Sequence, residues 1–154
     1  MRRRLYAITV LLIAAAIHVE AGTSRAQQTD VSGLWTGTTR VTPPCAFSSG
    51  RCNAVNNITF TLRMKGDHIK GKYTCAYGNL ICRNGGADNT GKVVSGRVAG
   101  DQIRLSVVIP ADVSNCYYNG LLTTPTSIRG GYMCYQGGEL LEEGMWEVKH
   151  ASGE

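Results

Sequence analysis

The strongest constraint on the fold is a pair of alternating segments joined by a two-residue turn. Residues 58–65 and 68–75 each alternate apolar with polar side chains, and Gly66-Asp67 stands between them. A Gly-led connection of two residues is typical of the tight turns of β-hairpins. Counting outwards from the turn brings the apolar residues of both segments onto one face, so turn and alternation predict the same register. The predicted cross-strand pairs are Met64–Ile69, Leu62–Gly71, Phe60–Tyr73 and Ile58–Cys75.

A second hairpin is predicted by the same signals. Residues 93–99 and 102–109 alternate in the same way around Gly100-Asp101. A second Gly-Asp dipeptide at the turn again sets the register, with arginine and serine side chains on the outer face. The predicted inward pairs are Val98–Ile103, Gly96–Leu105 and Val94–Val107.

The third hairpin carries a pair of cysteines. It joins residues 115–122 to residues 127–135 through a turn at 124–126. In this register Cys116 falls directly opposite Cys134, at a separation that a disulfide can span. We therefore predict the disulfide Cys116–Cys134.

The whole chain is predicted to be all-β, because no helical period is sustained over three turns. Gly33-Leu34-Trp35 near its start resembles Gly144-Met145-Trp146 near its end. We predict a small eight-stranded antiparallel up-and-down barrel stapled by disulfides, closed by pairing of the two tryptophan-bearing strands. A β-sandwich of the same strands is the structural alternative. The predicted strands are 33–41, 57–65, 68–76, 91–99, 102–109, 115–122, 127–135 and 140–149.

The N-terminal segment indicates the compartment. Three arginines precede an apolar run from Leu5 to Ile17, and small residues stand at Ala21 and Ala26. This composition is typical of a signal peptide, and the run is too short to span a bilayer comfortably. We expect a secreted or periplasmic protein with no stable membrane insertion. The predicted divisions are a signal peptide (1–26), a short tail (27–31), one barrel domain (32–150) and a C-terminal tail (151–154).

Removal of the signal peptide changes the charge of the chain. It takes away four of the 16 basic residues and one of the 11 acidic residues, so the net charge falls from +5 to +2. The basic character of the whole chain thus belongs largely to the targeting segment. We therefore expect no nucleic-acid partner.

The cysteine count predicts three disulfides, because an even number in an exported chain is typical of a disulfide framework. Only His68 and His150 remain after cleavage, and no cysteine pair has Cys-x-x-Cys spacing, so we predict no metal and no cofactor. Local pairing would give Cys45–Cys52 and Cys75–Cys82, although crossed pairing of these four stays open. The predicted disulfide cysteines are Cys45, Cys52, Cys75, Cys82, Cys116 and Cys134.

Two segments of the chain carry a family resemblance. Ser32-Gly33-Leu34-Trp35-Thr36-Gly37, with Gly71-Lys72-Tyr73-Thr74 further on, resembles the calycin superfamily, which includes lipocalins and avidins. Those proteins share a Gly-x-Trp signature on the first strand of an eight-stranded barrel, and many carry a small ligand inside. The resemblance implies a barrel over residues 32–150 with an internal ligand site.

Two departures limit what the resemblance implies. Cys75 stands where avidins have the hydroxyl partner of a ligand-contacting tyrosine, and Trp35 and Trp146 are the only tryptophans, so biotin is not the expected ligand. Lipocalins carry a basic residue that covers the signature tryptophan. Lys149 and Arg129 are the candidates for that residue here.

Inward glycines are the main signal for a ligand site. In the predicted registers Gly71, Gly96, Gly120 and Gly130 face inwards near mid-strand. They either leave room for a ligand or relieve strand coiling in a small barrel, which we favour for some of them. Tyrosines among apolar residues suit a small hydrophobic or aromatic ligand. The predicted ligand-binding residues are Trp35, Phe60, Leu62, Tyr73, Leu105, Tyr118, Ile128 and Tyr132.

Two adjacent carboxylates in the last strand are the remaining candidates for chemistry. One of Glu142 and Glu143 faces inwards if the strand is regular, and a buried carboxylate is typical of functional sites. The more common outcome is a strand end or bulge that leaves both solvated, which is what we expect. Neither mature histidine has a serine or cysteine partner by strand register, so we predict no enzyme.

The sequence supports two functional hypotheses. The first is a secreted, non-catalytic barrel that binds a small hydrophobic or aromatic ligand. The second is a protein-interaction module, for example an inhibitor of an exported hydrolase, acting through the Cys45–Cys52 loop. A bridged loop that presents Phe47 and Arg51 loses little entropy on binding, which suits such a role.

Overall fold

The computed structural model describes residues 28–42, 55–76, 90–110 and 113–151. These residues form one antiparallel sheet that closes on itself, with strand order β1 to β8 and β8 paired to β1. The predicted barrel is confirmed, and the sandwich alternative is excluded. The strands are β1 (Gly33–Val41), β2 (Val55–Lys65), β3 (His68–Ala76), β4 (Thr90–Ala99), β5 (Gln102–Ile109), β6 (Ser114–Thr124), β7 (Ser127–Gln136) and β8 (Glu139–His150).

The registers follow the alternation of the sequence. All four pairs predicted for the β2–β3 hairpin are present, as are Val98–Ile103, Gly96–Leu105 and Cys116–Cys134 in the other two. The strands that bear Trp35 and Trp146 pair and close the barrel. The predicted disulfide between Cys116 and Cys134 is also confirmed, with the two Cα atoms 4.0 Å apart.

One predicted pair is wrong. Val93, rather than Val94, lies opposite Val107, because a β-bulge shifts the register between Val93 and Ser95. A bulge adds one unpaired residue to a strand, so the side chains beyond it exchange faces. Val93 therefore joins the core, and Val94 is 45% exposed on the outer wall.

The two ends of the barrel differ in how they are built. The turn end carries the tight turns β2–β3, β4–β5 and β6–β7, and both the segment before β1 and the end of β8 lie there. The loop end carries the connections β1–β2, β3–β4, β5–β6 and β7–β8. The segment before β1 helps to close the turn end: Val31 is fully buried, and its carbonyl accepts a 2.9 Å hydrogen bond from the Trp35 indole.

The side chain that packs on the Trp35 ring at the turn end is that of His150. Its ring meets the Trp35 ring edge-on with centroids 5.0 Å apart, and its Nε2 lies 3.1 Å from the Ser32 carbonyl. The two residues expected at this position, Lys149 and Arg129, are exposed instead. Alternation explains the difference, because Lys149 and Arg129 point outwards from β8 and β7.

Inward glycines allow close contact between neighbouring strands. A Cβ at Gly130 would collide with the Asn119 carbonyl, and one at Gly71 with the Thr61 carbonyl. At Gly120 a Cβ would lie 2.7 Å from the Trp146 ring. Backbone and core atoms thus occupy the space beside these three glycines, so of the two explanations the relief of strand coiling, favoured for some of them, fits Gly71, Gly120 and Gly130.

Several predictions fall outside the described residues. These are the signal peptide (1–26), most of the C-terminal tail, and Cys45, Cys52 and Cys82 with the loop that presents Phe47 and Arg51. Cys75 is disulfide-bonded, to a partner beyond the described ranges. Within those ranges no helix has the length and apolar character needed to cross a membrane.

Candidate functional site

The interior of the barrel has an apolar half towards the turn end, whereas its loop-end half contains buried polar side chains together with aliphatic ones such as Val41, Ile58 and Ile109. Towards the turn end it is filled by aliphatic side chains and by Trp35. Besides tyrosine and tryptophan, four polar or charged residues are buried among the described residues, and all four belong to the loop-end half of the strands: Thr39, Asn56, Ser114 and Glu142. We use the name polar layer for Thr39, Asn56, Tyr73, Tyr118, Tyr132 and Glu142.

The eight residues predicted to contact a ligand are all buried inside the barrel. The structure divides them between the two halves. Trp35, Leu62, Leu105 and Ile128 belong to the apolar half, whereas the three tyrosines lie in the polar layer and Phe60 packs on two of them. All eight predicted residues therefore lie inside the barrel, but they do not form a single site.

Aromatic rings fill the middle of the barrel. The Phe60 ring lies 5.1 Å from Tyr73 and 5.3 Å from Tyr118, measured between centroids. Tyr118 stacks on Tyr132 at 5.4 Å and meets Trp146 edge-on at 5.4 Å. Such geometries are the favoured ones for ring pairs and contribute beyond area burial. These packed rings position the tyrosine hydroxyls that belong to the polar layer.

Tyr73 and Tyr118 join across the interior. The Tyr118 hydroxyl donates to the Tyr73 oxygen at 3.1 Å, and both residues are about 99% buried. Burial raises the pKa of both phenols above the usual value of 10.0. The two hydroxyls thus stay protonated at physiological pH and are available as neutral hydrogen-bonding groups.

Glu142 is buried, contrary to the expectation that both carboxylates of the pair stay solvated. It is 5% exposed, and one oxygen accepts a 2.9 Å hydrogen bond from the Tyr132 hydroxyl. The bulge that was expected to release it lies one position earlier, between the pairs Tyr135–Leu140 and Cys134–Glu142. Beyond the bulge the strand is regular, so Glu142 points inwards and Glu143 outwards.

Electrostatics couple Tyr132 to this carboxylate. Burial raises the pKa of Tyr132, and the charge of Glu142 raises it further, because a tyrosinate beside a carboxylate is unfavourable. A hydrogen bond with the Thr39 side chain acts in the opposite direction. Tyr132 is therefore a neutral donor held between an acceptor carboxylate and a threonine hydroxyl.

Thr39 and Asn56 complete the layer. Each is 1% exposed, and the Asn56 amide nitrogen lies 3.5 Å from the Thr39 hydroxyl oxygen. The amide oxygen of Asn56 is buried without a hydrogen-bond partner among the described residues. A buried polar atom without a partner is costly, and native structures contain few of them.

The sequence reasoning missed three members of this region. Asn56 lies just before the predicted start of its strand, Thr39 was not considered for the interior, and Trp146 was used only to predict closure. Period-two alternation carries the missing signal, since Asn56 precedes Ile58 by two and faces Thr39 across the β1–β2 pair. The polar character of both residues suggested the outer face instead.

The histidines do not take part in the polar layer. His68 is exposed at the turn end, 3.4 Å from the Asp67 carboxylate, and His150 packs on Trp35. In the part of the chain that the structure describes, no three His, Cys, Asp or Glu side chains are grouped as a metal site would need.

Comparisons with known proteins support the fold. No protein-family model and no curated protein sequence matches the chain. The chain is similar to a redesigned β-barrel, with a TM-score of 0.59, 10% identity and coverage of 79% of this chain and 91% of the other. It is also similar to a barrel solved with the compound DFHBI bound, with a TM-score of 0.51, 10% identity and coverage of 78% and 93%. At such low identity the likeness concerns the eight-stranded barrel alone.

Proposed function

We propose that this protein is a non-catalytic barrel that binds a small, flat, largely apolar molecule bearing an N–H or O–H donor. The ligand enters at the loop end and rests against the polar layer. The observation that carries the proposal is the buried carboxylate of Glu142, hydrogen-bonded to Tyr132, whose ring stacks on that of Tyr118.

Folding alone does not favour a carboxylate at this position. Removing a charged group from water costs several kcal/mol, and well-packed apolar residues in its place are often neutral or stabilising. Glu142 nevertheless lies in the interior of a small barrel whose other half is apolar. A role in ligand recognition gives a reason for keeping a carboxyl group at this buried position.

The polar layer offers two buried acceptors to a ligand. One is the Glu142 carboxylate, and the other is the amide oxygen of Asn56, which has no hydrogen-bond partner within the described ranges. A ligand that donates hydrogen bonds would give the Asn56 oxygen a partner and add a donor to the carboxylate that already accepts from Tyr132, whereas a pure hydrocarbon would do neither. The surrounding rings of Tyr118, Tyr132 and Phe60 suit a flat apolar body.

The loop end is the entrance that the described residues favour. The turn end is covered by Val31, by His150 and by the 2.9 Å bond from the Gln28 side chain to the Val98 carbonyl. The polar layer lies nearer the other end. The barrel solved with DFHBI bound supports a binding role for an architecture of this kind.

A binding role also fits the remaining chemistry. Neither His68 nor His150 lies where it could activate a buried nucleophile, which supports the absence of catalysis. Disulfides form and persist in oxidising compartments, so the Cys116–Cys134 bridge supports export. We accordingly propose a secreted or periplasmic location and a place among the calycin-like barrels.

The test is a titration of the oxidised mature protein with N-phenyl-1-naphthylamine, an uncharged aromatic amine whose fluorescence rises in apolar surroundings. We expect saturable one-to-one binding. Glu142→Gln should weaken it about tenfold or more, because a hydrogen bond to a charged group contributes about 1.5–3 kcal/mol. Glu143→Gln, which removes the neighbouring outward carboxylate, is the matched control and should bind as the native protein does.

Two results would contradict the proposal. One is the absence of saturable binding by the folded, oxidised protein. The other is equal affinity of Glu142→Gln and Glu143→Gln for the dye, which would mean that the polar layer is not part of the binding site. Circular dichroism of each variant establishes that the barrel is folded before the titrations are compared.

A further inference from the structure

The outer wall of β2–β5 has a one-sided charge. These four consecutive strands contain no aspartate or glutamate, and all of their lysines and arginines are exposed. The four glutamates of the described strands all belong to β8 instead. We use the name basic wall for the seven cations of β2–β5. They are Arg63, Lys65, Lys70, Lys72, Lys92, Arg97 and Arg104.

Cations of the basic wall stand directly opposite one another. Cross-strand partners include Arg63 with Lys70, Lys72 with Lys92, and Arg97 with Arg104. Like charges at directly opposed positions destabilise a sheet. Three such pairs on adjacent strands therefore oppose folding, and an external anion would relieve the repulsion.

Neutralisation within the chain is slight. Arg97 has a long contact of 3.9 Å with the Asp67 carboxylate, at the edge of the wall. Across the described residues, none of the other six cations has an ion pair within 4.0 Å. The charge of the wall is thus presented to solvent, although the net charge of the mature chain is small.

A groove crosses the same wall. It has a volume of about 810 Å³ and is lined by Lys70, Arg97 and Arg104 on one side and by Tyr117 and Met133 on the other. The bulge at Val94 lies in its floor. Three cations along an open groove fit an extended chain of repeated negative charges better than a single small anion.

We propose that the basic wall binds a linear acidic polysaccharide. Arginine pairs with sulfate and carboxylate groups through two parallel hydrogen bonds, which suits Arg97 and Arg104. The wall is convex, so a flexible chain can follow it around several strands, whereas a flat membrane would touch only a narrow strip.

The composition of the wall argues against nucleic acid. Proteins that bind single strands stack bases on aromatic side chains. The two aromatic residues of β2–β5, Phe60 and Tyr73, both point into the core, which leaves Tyr117 on β6 as the single exposed Phe, Tyr or Trp ring in the described lining of the groove. Outward threonines stand among the cations instead, and their hydroxyls suit the hydroxyl groups of sugars. Thr59, Thr61 and Thr74 are the examples.

The experiment compares two triple variants of the oxidised mature protein. Lys70→Gln with Arg97→Gln and Arg104→Gln removes three charges from the wall, and Arg40→Gln with Arg129→Gln and Lys149→Gln removes three from β1, β7 and β8. Binding to heparin fragments is measured over a series of salt concentrations. The two variants have the same net charge, so they separate the wall from the overall charge.

We expect the native protein to bind heparin with an affinity that falls steeply with salt. The affinity of the wall variant for heparin should be about tenfold lower or worse. Its slope of log affinity against log salt should be smaller by about two to three, near one for each lost contact. The control variant should stay within about twofold of the native affinity and keep the native slope.

Three outcomes would overturn the proposal. The first is no heparin binding at low salt, and the second is an equal loss in both triple variants. The third is tighter binding, at the same salt, to a single-stranded oligonucleotide or to phosphatidylglycerol vesicles than to heparin. Because N-phenyl-1-naphthylamine is uncharged, its titration is unaffected by the wall, and the two proposals fail independently.

Discussion

The two halves of the barrel interior use aromatic residues differently. In the turn-end half, Trp35 is enclosed by Val31 and His150 and directs its only polar atom to a backbone carbonyl. In the loop-end half, Tyr118 and Tyr132 stack, but their hydroxyls belong to a layer that also contains a carboxylate and an amide oxygen that no other described residue hydrogen-bonds. In the first arrangement the indole N–H has its hydrogen-bond partner within the protein. In the second, a buried acceptor is left that a ligand could hydrogen-bond.

If a ligand binds at the polar layer as proposed, the turn-end half mainly stabilises the fold and the loop-end half mainly recognises the ligand. Burying apolar surface stabilises the fold without direction or specificity. Buried polar groups cost free energy unless they are paired, and when they are retained they specify what can be bound. Substitutions in the two halves should therefore have different consequences.

The largest effect is expected at the turn end. Trp35→Ala should lower the free energy of unfolding by about 3–5 kcal/mol, because it leaves a cavity in the closed half of the core. Urea unfolding measures the loss. Affinity for N-phenyl-1-naphthylamine should remain near native, since the polar layer lies towards the other end.

The control for that variant is Leu34→Ala, which removes an exposed neighbouring side chain. It should change the stability by about 0.5 kcal/mol or less. Loss of dye binding by folded Trp35→Ala would contradict the assignment of separate roles to the two halves.

Alkaline pH should act on the polar layer. The pKa values of Tyr73, Tyr118 and Tyr132 are raised in the folded protein. The contribution of the protonated phenols to the free energy of unfolding is therefore fully present below pH 10 and is lost as the pH rises above it. Each phenol should remove about 1.4 kcal/mol of stability per pH unit in that range. Denaturant unfolding at a series of pH values, with tyrosinate absorbance, measures this.

Replacement of one phenol provides the check on the pH effect. Above pH 10, the free energy of unfolding of Tyr73→Phe should fall less steeply with pH than that of the native protein. The difference in slope should be about 1.4 kcal/mol per pH unit, as expected for one phenol. Ionisation of all three tyrosines in a protein that remains folded would show that they are accessible to solvent, contrary to their burial.

A smaller effect is expected from Tyr132→Phe. This change leaves the Glu142 carboxylate without its 2.9 Å donor and should cost about 1–3 kcal/mol in urea unfolding. Tyr117→Phe, on the exposed outer wall, is the matched control and should cost about 0.5 kcal/mol or less. Equal costs in the two variants would mean that the Tyr132–Glu142 bond contributes nothing to the fold.

The smallest effect on stability is expected from Asn56→Leu. Replacing a buried amide whose oxygen is partnerless with an apolar side chain of similar size should be neutral or stabilising by up to about 1 kcal/mol. Dye affinity should nevertheless fall, because one of the two buried acceptors is lost. A clear loss of stability with native dye affinity would assign Asn56 to the fold rather than to the site.

The sequence predicted most of the fold because two independent signals coincided at each hairpin. In β2–β3 the Gly66-Asp67 turn and the period-two pattern give one register, and the structure has that register at every predicted pair. Neither the turn nor the alternation predicts the bulge in β4. Val93 and Val94 are the same residue type, so the pattern cannot tell which of them faces the core.

The site was less predictable for a related reason. Tyr73, Tyr118 and Tyr132 could be placed inside because their apolar rings follow the alternation. Asn56 and Thr39 are polar, and polar residues in a barrel strand are expected outside. Glu142 and Glu143 are neighbours, so only the position of the bulge before them decides which is buried.

The most direct test of the difference between the two halves is to measure stability and binding together on Glu142→Gln. Urea unfolding and titration with N-phenyl-1-naphthylamine would be run on the same preparation, with Glu143→Gln as control. We expect Glu142→Gln to be as stable as the native protein or more stable, and to bind the dye about tenfold more weakly or worse. A variant that loses more than about 2 kcal/mol of stability while keeping native dye affinity would contradict the account.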